Sequence, residues 1–150
     1  GRVPADESDC PAKFLRGILA FYDFMSGTPM SKSFTTITRD VAKGLGSMRK
    51  EIPETIQGFN ALAKAALSPG VLSALDKELI ALAIGVASRC DACIGFHVKA
   101  LIRLGVSRAQ LMETLAVCTY MGGGPTLMYA AEAVRAYEEL SSDQPVPVSA

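Results

Sequence analysis

Residues 75–87 read Leu-Asp-Lys-Glu-Leu-Ile-Ala-Leu-Ala-Ile-Gly-Val-Ala, apolar on almost every side of a helical projection. A helix with so little polar face is stable only when other elements surround it, so this segment belongs at the centre of the fold. Glu78 lies inside it, beside Leu79 and Ile80, an odd address for a carboxylate. No stretch shows the two-residue alternation of a half-buried strand, and no internal repeat is visible. The expected fold class is all-α, a bundle of about six to seven helices.

The flanking segments agree with that reading. Residues 1–12 carry Pro4, Asp6, Glu7, Ser8, Asp9 and Pro11 and read as an exposed lead-in. Over residues 12–25, Phe14, Leu15, Ile18, Leu19, Phe21 and Tyr22 follow a helical period until Gly27 and Pro29 stop it. So short a helix needs a surface, and it is expected to pack as an arm on the core or on a neighbouring subunit. Thr38 is expected to cap a helix that buries Val41, Leu45 and Met48. Pro53 and Glu54 open the next helix, with Ile56, Phe59, Leu62 and Ala66 in one stripe, and Ser68-Pro69-Gly70 ends it. After Ser88-Arg89 a helix runs from about Asp91 to Leu104 and is closed by Gly105. Ser107 with Gln110 forms a capping box for another, which places Leu111, Leu115 and Cys118 on one face. Gly122-Gly123-Gly124-Pro125 turns the chain into a last helix through Leu140, followed by a polar tail over residues 141–150.

Fifteen basic residues cancel fifteen acidic ones. That balance argues against nucleic acid or an anionic membrane as the main partner, since both recruit a basic surface. The longest uncharged run, residues 114–131, is broken by the glycine triplet, so no membrane-spanning helix is expected. The apolar stretch at 14–25 contains Arg16 and Asp23 and does not read as a secretory signal. Four cysteines in 150 residues do not make a disulfide-dense secreted scaffold, and a cytoplasmic location is expected.

The chemistry concentrates in Cys90-Asp91-Ala92-Cys93-Ile94-Gly95-Phe96-His97, which holds two of the cysteines and the only histidine. At i, i+3 and i+7 the two thiols and the imidazole share one helical face. Three readings compete. A closed zinc site needs four ligands, and Glu78 or a distant Cys10 or Cys118 would have to complete it. Two buried cysteines beside a satisfied histidine make a plain core. Thiol redox chemistry is the third, because a helix N-terminus favours thiolate over thiol. In that case helical geometry drops His97 onto the turn of Cys93, four residues back, and leaves Cys90 to resolve what Cys93 forms. Glu78, facing His97 from its own helix, would orient and polarise the ring.

The pattern Glu78, eleven residues, then Cys90-x-x-Cys93-x-x-x-His97 resembles the AhpD-like alkylhydroperoxidases of the carboxymuconolactone decarboxylase superfamily. Residues 75–83 and the turn Leu104-Gly105-Val106-Ser107 are similar to that family as well. The resemblance divides the chain into a lead-in and helical arm (1–34), an AhpD-like domain (35–140) and a tail (141–150). It implies a helical homotrimer or homohexamer with catalytic Cys93, Cys90, His97 and Glu78, and no bound cofactor or metal. It further implies a peroxidase cycle: Cys93 attacks an organic hydroperoxide or other small oxidant and becomes a sulfenic acid. Cys90 then condenses with it to a disulfide, which a lipoyl-type or thioredoxin-like dithiol reduces. Ala92 stands where the most similar peroxidases carry a further histidine, which shortens the relay by one group. A non-redox enzyme of the decarboxylase type and a non-catalytic redox-responsive oligomer are the alternatives.

Overall fold

The structure is a computed structural model, and it describes residues 32–142. These form five helices: α1 Phe34–Glu51, α2 Pro53–Leu67, α3 Ala74–Ala87, α4 Asp91–Arg103 and α5 Arg108–Ser142. No strand occurs among the described residues, so the fold is all-α. The count differs from six to seven for two reasons. The helix expected at 12–25 lies outside the described residues, and the two helices expected after Ser107 are both present, counted as one element because they are continuous through the break at Gly123.

That element, α5, is a hairpin. Gly123 breaks its helical path at φ 65°, a left-handed backbone that glycine adopts without a Cβ penalty. Arg108 Nη1 reaches Glu138 Oε1 at 3.0 Å, although 30 residues of straight helix would separate them by about 45 Å. The chain therefore folds back on itself at 122–125, as the glycine triplet and Pro125 predict. The two arms bury Leu111, Leu115 and Cys118 from one side and Ala130, Ala133 and Ala136 from the other.

Helix α3 is central, packed against α2, α4 and α5. Ser73 and Asp76 start it with a reciprocal capping box. Leu82 and Val86 of α3 meet Ile94, Val98 and Leu101 of α4 in the core, each essentially without solvent contact. Full burial of one such side chain contributes about 1.5–3 kcal/mol. One face of α3 stays open, however, with Ile80 and Ile84 exposed.

Helix α1 departs most from expectation. It begins at Phe34, with Ser33 as its N-cap, and Thr38 is a buried interior residue whose hydroxyl donates to the Phe34 carbonyl at 2.7 Å. Val41, Leu45 and Met48 are exposed. The cap that Thr38 was expected to supply comes from Ser33, whose hydroxyl accepts from the Thr36 N–H at 3.2 Å, and Glu139 from the last helical arm completes it. Its carboxylate accepts from the Ser33 hydroxyl (2.7 Å) and from the N–H groups of Phe34 and Thr35 (3.0 Å each). Phe34 itself is fully buried, with the Arg135 guanidinium 4.8 Å above its ring.

Gly95 brings α1 and α4 together, since a Cβ there would stand 2.6 Å from Thr38 Cγ2. No helix among the described residues is long and apolar enough to cross a membrane.

Candidate active site

Helix α3 ends in a turn that delivers Cys90 to the start of α4. The Cys90 N–H donates to the Gly85 carbonyl at 3.0 Å, and the Arg89 N–H donates to the Val86 carbonyl at 3.1 Å. This pair of bonds terminates a helix through one left-handed residue, most often glycine. Here that residue is Arg89, at φ 57°, the one non-glycine residue with positive φ among the described residues. A side chain in that conformation costs about 1 kcal/mol relative to glycine.

Cys90 then serves as the N-cap of α4, its Sγ accepting the Cys93 N–H at 3.2 Å. Cys93 is the third residue of the helix, and the two sulfurs are joined in a disulfide with Cα atoms 5.2 Å apart. In the reduced form both sulfurs sit at the positive end of α4, which favours thiolate. Gly85 packs beneath them: a Cβ on it would lie 3.2 Å from Cys93 Cβ.

His97 follows one turn after Cys93 on the same face of α4. Its Nδ1 lies 2.7 Å from Glu78 Oε2, which reaches across from α3. Glu78 is only 9% exposed, and the ring of His97 is half-buried. An ionised carboxylate only accepts hydrogen bonds, so Nδ1 carries a proton toward Glu78, and in the neutral ring Nε2 is the nitrogen with the free lone pair. The structure thus joins the four residues singled out in the sequence as two bonded pairs, Glu78 with His97 and Cys90 with Cys93, which share helix α4.

The other candidates lie elsewhere. Cys118 is buried on α5, 3.9 Å from the Ala83 carbonyl, and burial pushes its thiol above the ordinary cysteine range. Cys10 lies outside the described residues. Among the described residues no three His, Cys, Asp or Glu side chains converge as metal ligands. Met112 lines an apolar cleft of about 570 Å³ between the arms of α5, and Met121 borders another of about 330 Å³ with Cys118. Neither cleft is lined by the cysteine pair or His97. Arg89 and Gly85 escaped the sequence reading: an arginine carries no signal for a left-handed turn, and a glycine inside an apolar helix has many explanations.

The sequence profile of the Carboxymuconolactone decarboxylase family matches residues 53–136, from α2 through most of α5. Among solved structures, the apo form of a carboxymuconolactone decarboxylase family protein from Legionella pneumophila is 52% identical, with a TM-score of 0.71. The match covers 72% of this chain and 96% of that one. A family protein from Thermotoga maritima, for which a part in an antioxidative response has been suggested, is 27% identical with a TM-score of 0.63. That match covers 70% of this chain and 90% of the other. An uncharacterized protein of Cupriavidus necator is 35% identical over 113 residues, which is 75% of this chain and all of the relative. Shared helical architecture and a profile match from residue 53 to residue 136 lead to one conclusion: the chain belongs to the carboxymuconolactone decarboxylase family, within the AhpD-like superfamily.

Proposed function

We propose that the chain is a thiol-dependent hydroperoxidase or disulfide oxidoreductase of the alkylhydroperoxidase type, working without a resident cofactor. The observation that carries this reading is the Glu78–His97 hydrogen bond on the helix whose first turn holds Cys90 and Cys93. A lone cysteine pair has many uses, but a pair one turn from an imidazole whose free nitrogen is a base has the parts of an activated nucleophile. Glu78 fixes the tautomer, and His97 takes the thiol proton of Cys93 through Nε2. The Cys93 thiolate attacks the terminal oxygen of an organic hydroperoxide, the O–O bond breaks, and the alkoxide leaves as an alcohol with the proton from His97. Cys93 is left as a sulfenic acid. Attack by Cys90 on that sulfur closes the disulfide and releases water. A lipoyl-type or thioredoxin-like dithiol then returns two electrons and two protons. The antioxidative part suggested for the Thermotoga maritima relative supports the same chemistry.

We also propose that the working form is a homotrimer or homohexamer. Helix α2 buries none of its residues, and Phe59 and Leu62 are about two-thirds exposed. Ile80 and Ile84 line two shallow clefts, one with Leu67 of α2 and one with Val117 and Met121 of α5. An apolar surface of this kind is suited to a second copy of the chain.

The test is intact-mass analysis of the reduced protein before and after one equivalent of an organic hydroperoxide, with peptide mapping. Loss of two hydrogens that maps to Cys90–Cys93 is the expected result. If both thiols stay reduced, the redox reading is wrong and lactone-acid substrates become the next assay. Light scattering on the eluting protein checks the subunit number.

A further inference from the structure

We infer that Arg89 is a positioning residue for the redox pair, the counter-charge that holds Cys90 as a thiolate once the disulfide is reduced. The inference takes its meaning from the thiol chemistry proposed above, but its test does not depend on a peroxide.

The cycle requires two sulfur nucleophiles in turn. Cys93 has His97 one turn along α4 to take its proton. Cys90, at the N-cap, is seven residues and nearly two turns from His97, and among the described residues no base is bonded to it. Its resolving step needs the anion: the Cys90 thiolate attacks Sγ of the Cys93 sulfenic acid, and the S–O bond breaks. Hydroxide departs as water with a proton from solvent, and the S–S bond forms. The positive end of α4 helps to ionise Cys90.

Arg89 answers that deficit. It occupies the left-handed position that glycine fills without cost, so a side chain is carried there against a conformational penalty. The residue is exposed, and it has no carboxylate partner among the described residues. Arg39, Arg108 and Arg135 each pair with an aspartate or glutamate, while Arg49 and Arg103 share the unpaired state of Arg89 among the described residues. The hydrogen bonds of the turn tie the Arg89 and Cys90 backbones to successive carbonyls of α3, which fixes the main chain that carries the cation one residue before the thiol. A cation next to a cysteine lowers its pKa. In the disulfide the sulfur is neutral and offers the guanidinium nothing, so the attraction arises only on reduction.

Three titratable sites on the packed elements are engaged elsewhere. Glu78 of α3 is bonded to His97 of α4. Lys99 of α4 donates to Thr38 of α1. Cys118 of α5 lies against Ala83.

The test follows alkylation of Cys90 by iodoacetamide across pH in the full chain carrying Cys93→Ser, read by peptide mass. Adding Arg89→Ala should raise the midpoint by about 0.5–1 pH unit and slow alkylation at neutral pH by roughly 3–10-fold. Arg89→Lys should keep the parental midpoint. Arg89→Gly relaxes the turn while removing the charge, so it should fold and behave as Arg89→Ala does. Midpoints unchanged in both the alanine and glycine variants would overturn the proposal. A shift in Arg89→Ala that Arg89→Gly reverses would also overturn it, by assigning the effect to the backbone. In the otherwise unaltered chain, cumene hydroperoxide should oxidise Cys93 at the parental rate in Arg89→Ala, with slower disulfide closure. If cumene hydroperoxide oxidises neither chain, the peroxidase reading falls and the alkylation profile still decides the role of Arg89.

Discussion

Glu78 Oε2 stands 2.7 Å from His97 Nδ1, a bond between two helices that ties the middle of α3 to the second turn of α4. It explains why a carboxylate is tolerated in a nearly apolar helix: its partner is the one imidazole of the chain. It also selects which nitrogen of His97 is free to act.

Glu78→Gln keeps the shape of the pair but removes the charge and the obligatory acceptor. Hydroperoxide consumption should fall by roughly 10²-fold in stopped-flow assays, the scale of a lost general-base contribution. Turnover at the parental rate would remove Glu78 from the relay.

The two cysteines should differ in kind. Cys93→Ser should abolish oxidant consumption, whereas Cys90→Ser should complete one turnover and strand Cys93 as a sulfenic acid or mixed disulfide. Trapping with dimedone and peptide mapping read this directly. The reverse pattern would exchange the roles.

Glu139 should govern acid stability. Partial burial pushes its carboxyl up, but bonds from the Thr35 N–H, the Ser33 hydroxyl and the Phe34 N–H outweigh it and hold the pKa at about 2. With the folded value below the unfolded one, its stabilisation is complete above about pH 4.5 and is lost as pH falls toward 2. Urea titrations at pH 7 and pH 3 should show Glu139→Gln less stable than the parent, with the gap narrowing at the lower pH. A gap that widens on acidification would contradict this linkage.

Gly95→Ala should cost about 1–3 kcal/mol, because the added methyl would press on Thr38 Cγ2 at the α1–α4 contact. The urea midpoint at pH 7 checks it. The companion Thr38→Ser removes that methyl, so the double variant should recover part of the loss.

Local chemistry made much of this legible from sequence. Pro53 at a helix start, the Ser107–Gln110 capping box and the helix stop at Gly105 are set within a few residues, and the structure has each, Gly105 with a φ of 75°. The Ser73–Asp76 box carried the same kind of signal and went unread. Glu78 stood out because its surroundings are apolar, and so the way to His97 was open. What failed was mostly non-local. The start of α1 has a local signal in its N-cap Ser33, which went unread, and a non-local one in Glu139, 105 residues beyond Phe34, which no pattern near Thr38 encodes. The stripe Val41, Leu45 and Met48 is periodic, yet among the described residues nothing covers it. Arg89 was opaque for another reason: its conformation is imposed by the hydrogen bonds of the turn, against the preference of the residue.

The distance in sequence between Phe34 and Glu139 also sets an order of events during synthesis. At about 5–20 residues per second, α1 waits several seconds on the ribosome before the carboxylate that ties down its first turn exists. Until then its leading N–H groups have only Ser33 and water. Docking of the first helix is therefore a late step, completed from the C-terminal side. A nascent chain stalled before Glu139 should hold α3 and α4 together while α1 remains open to protease.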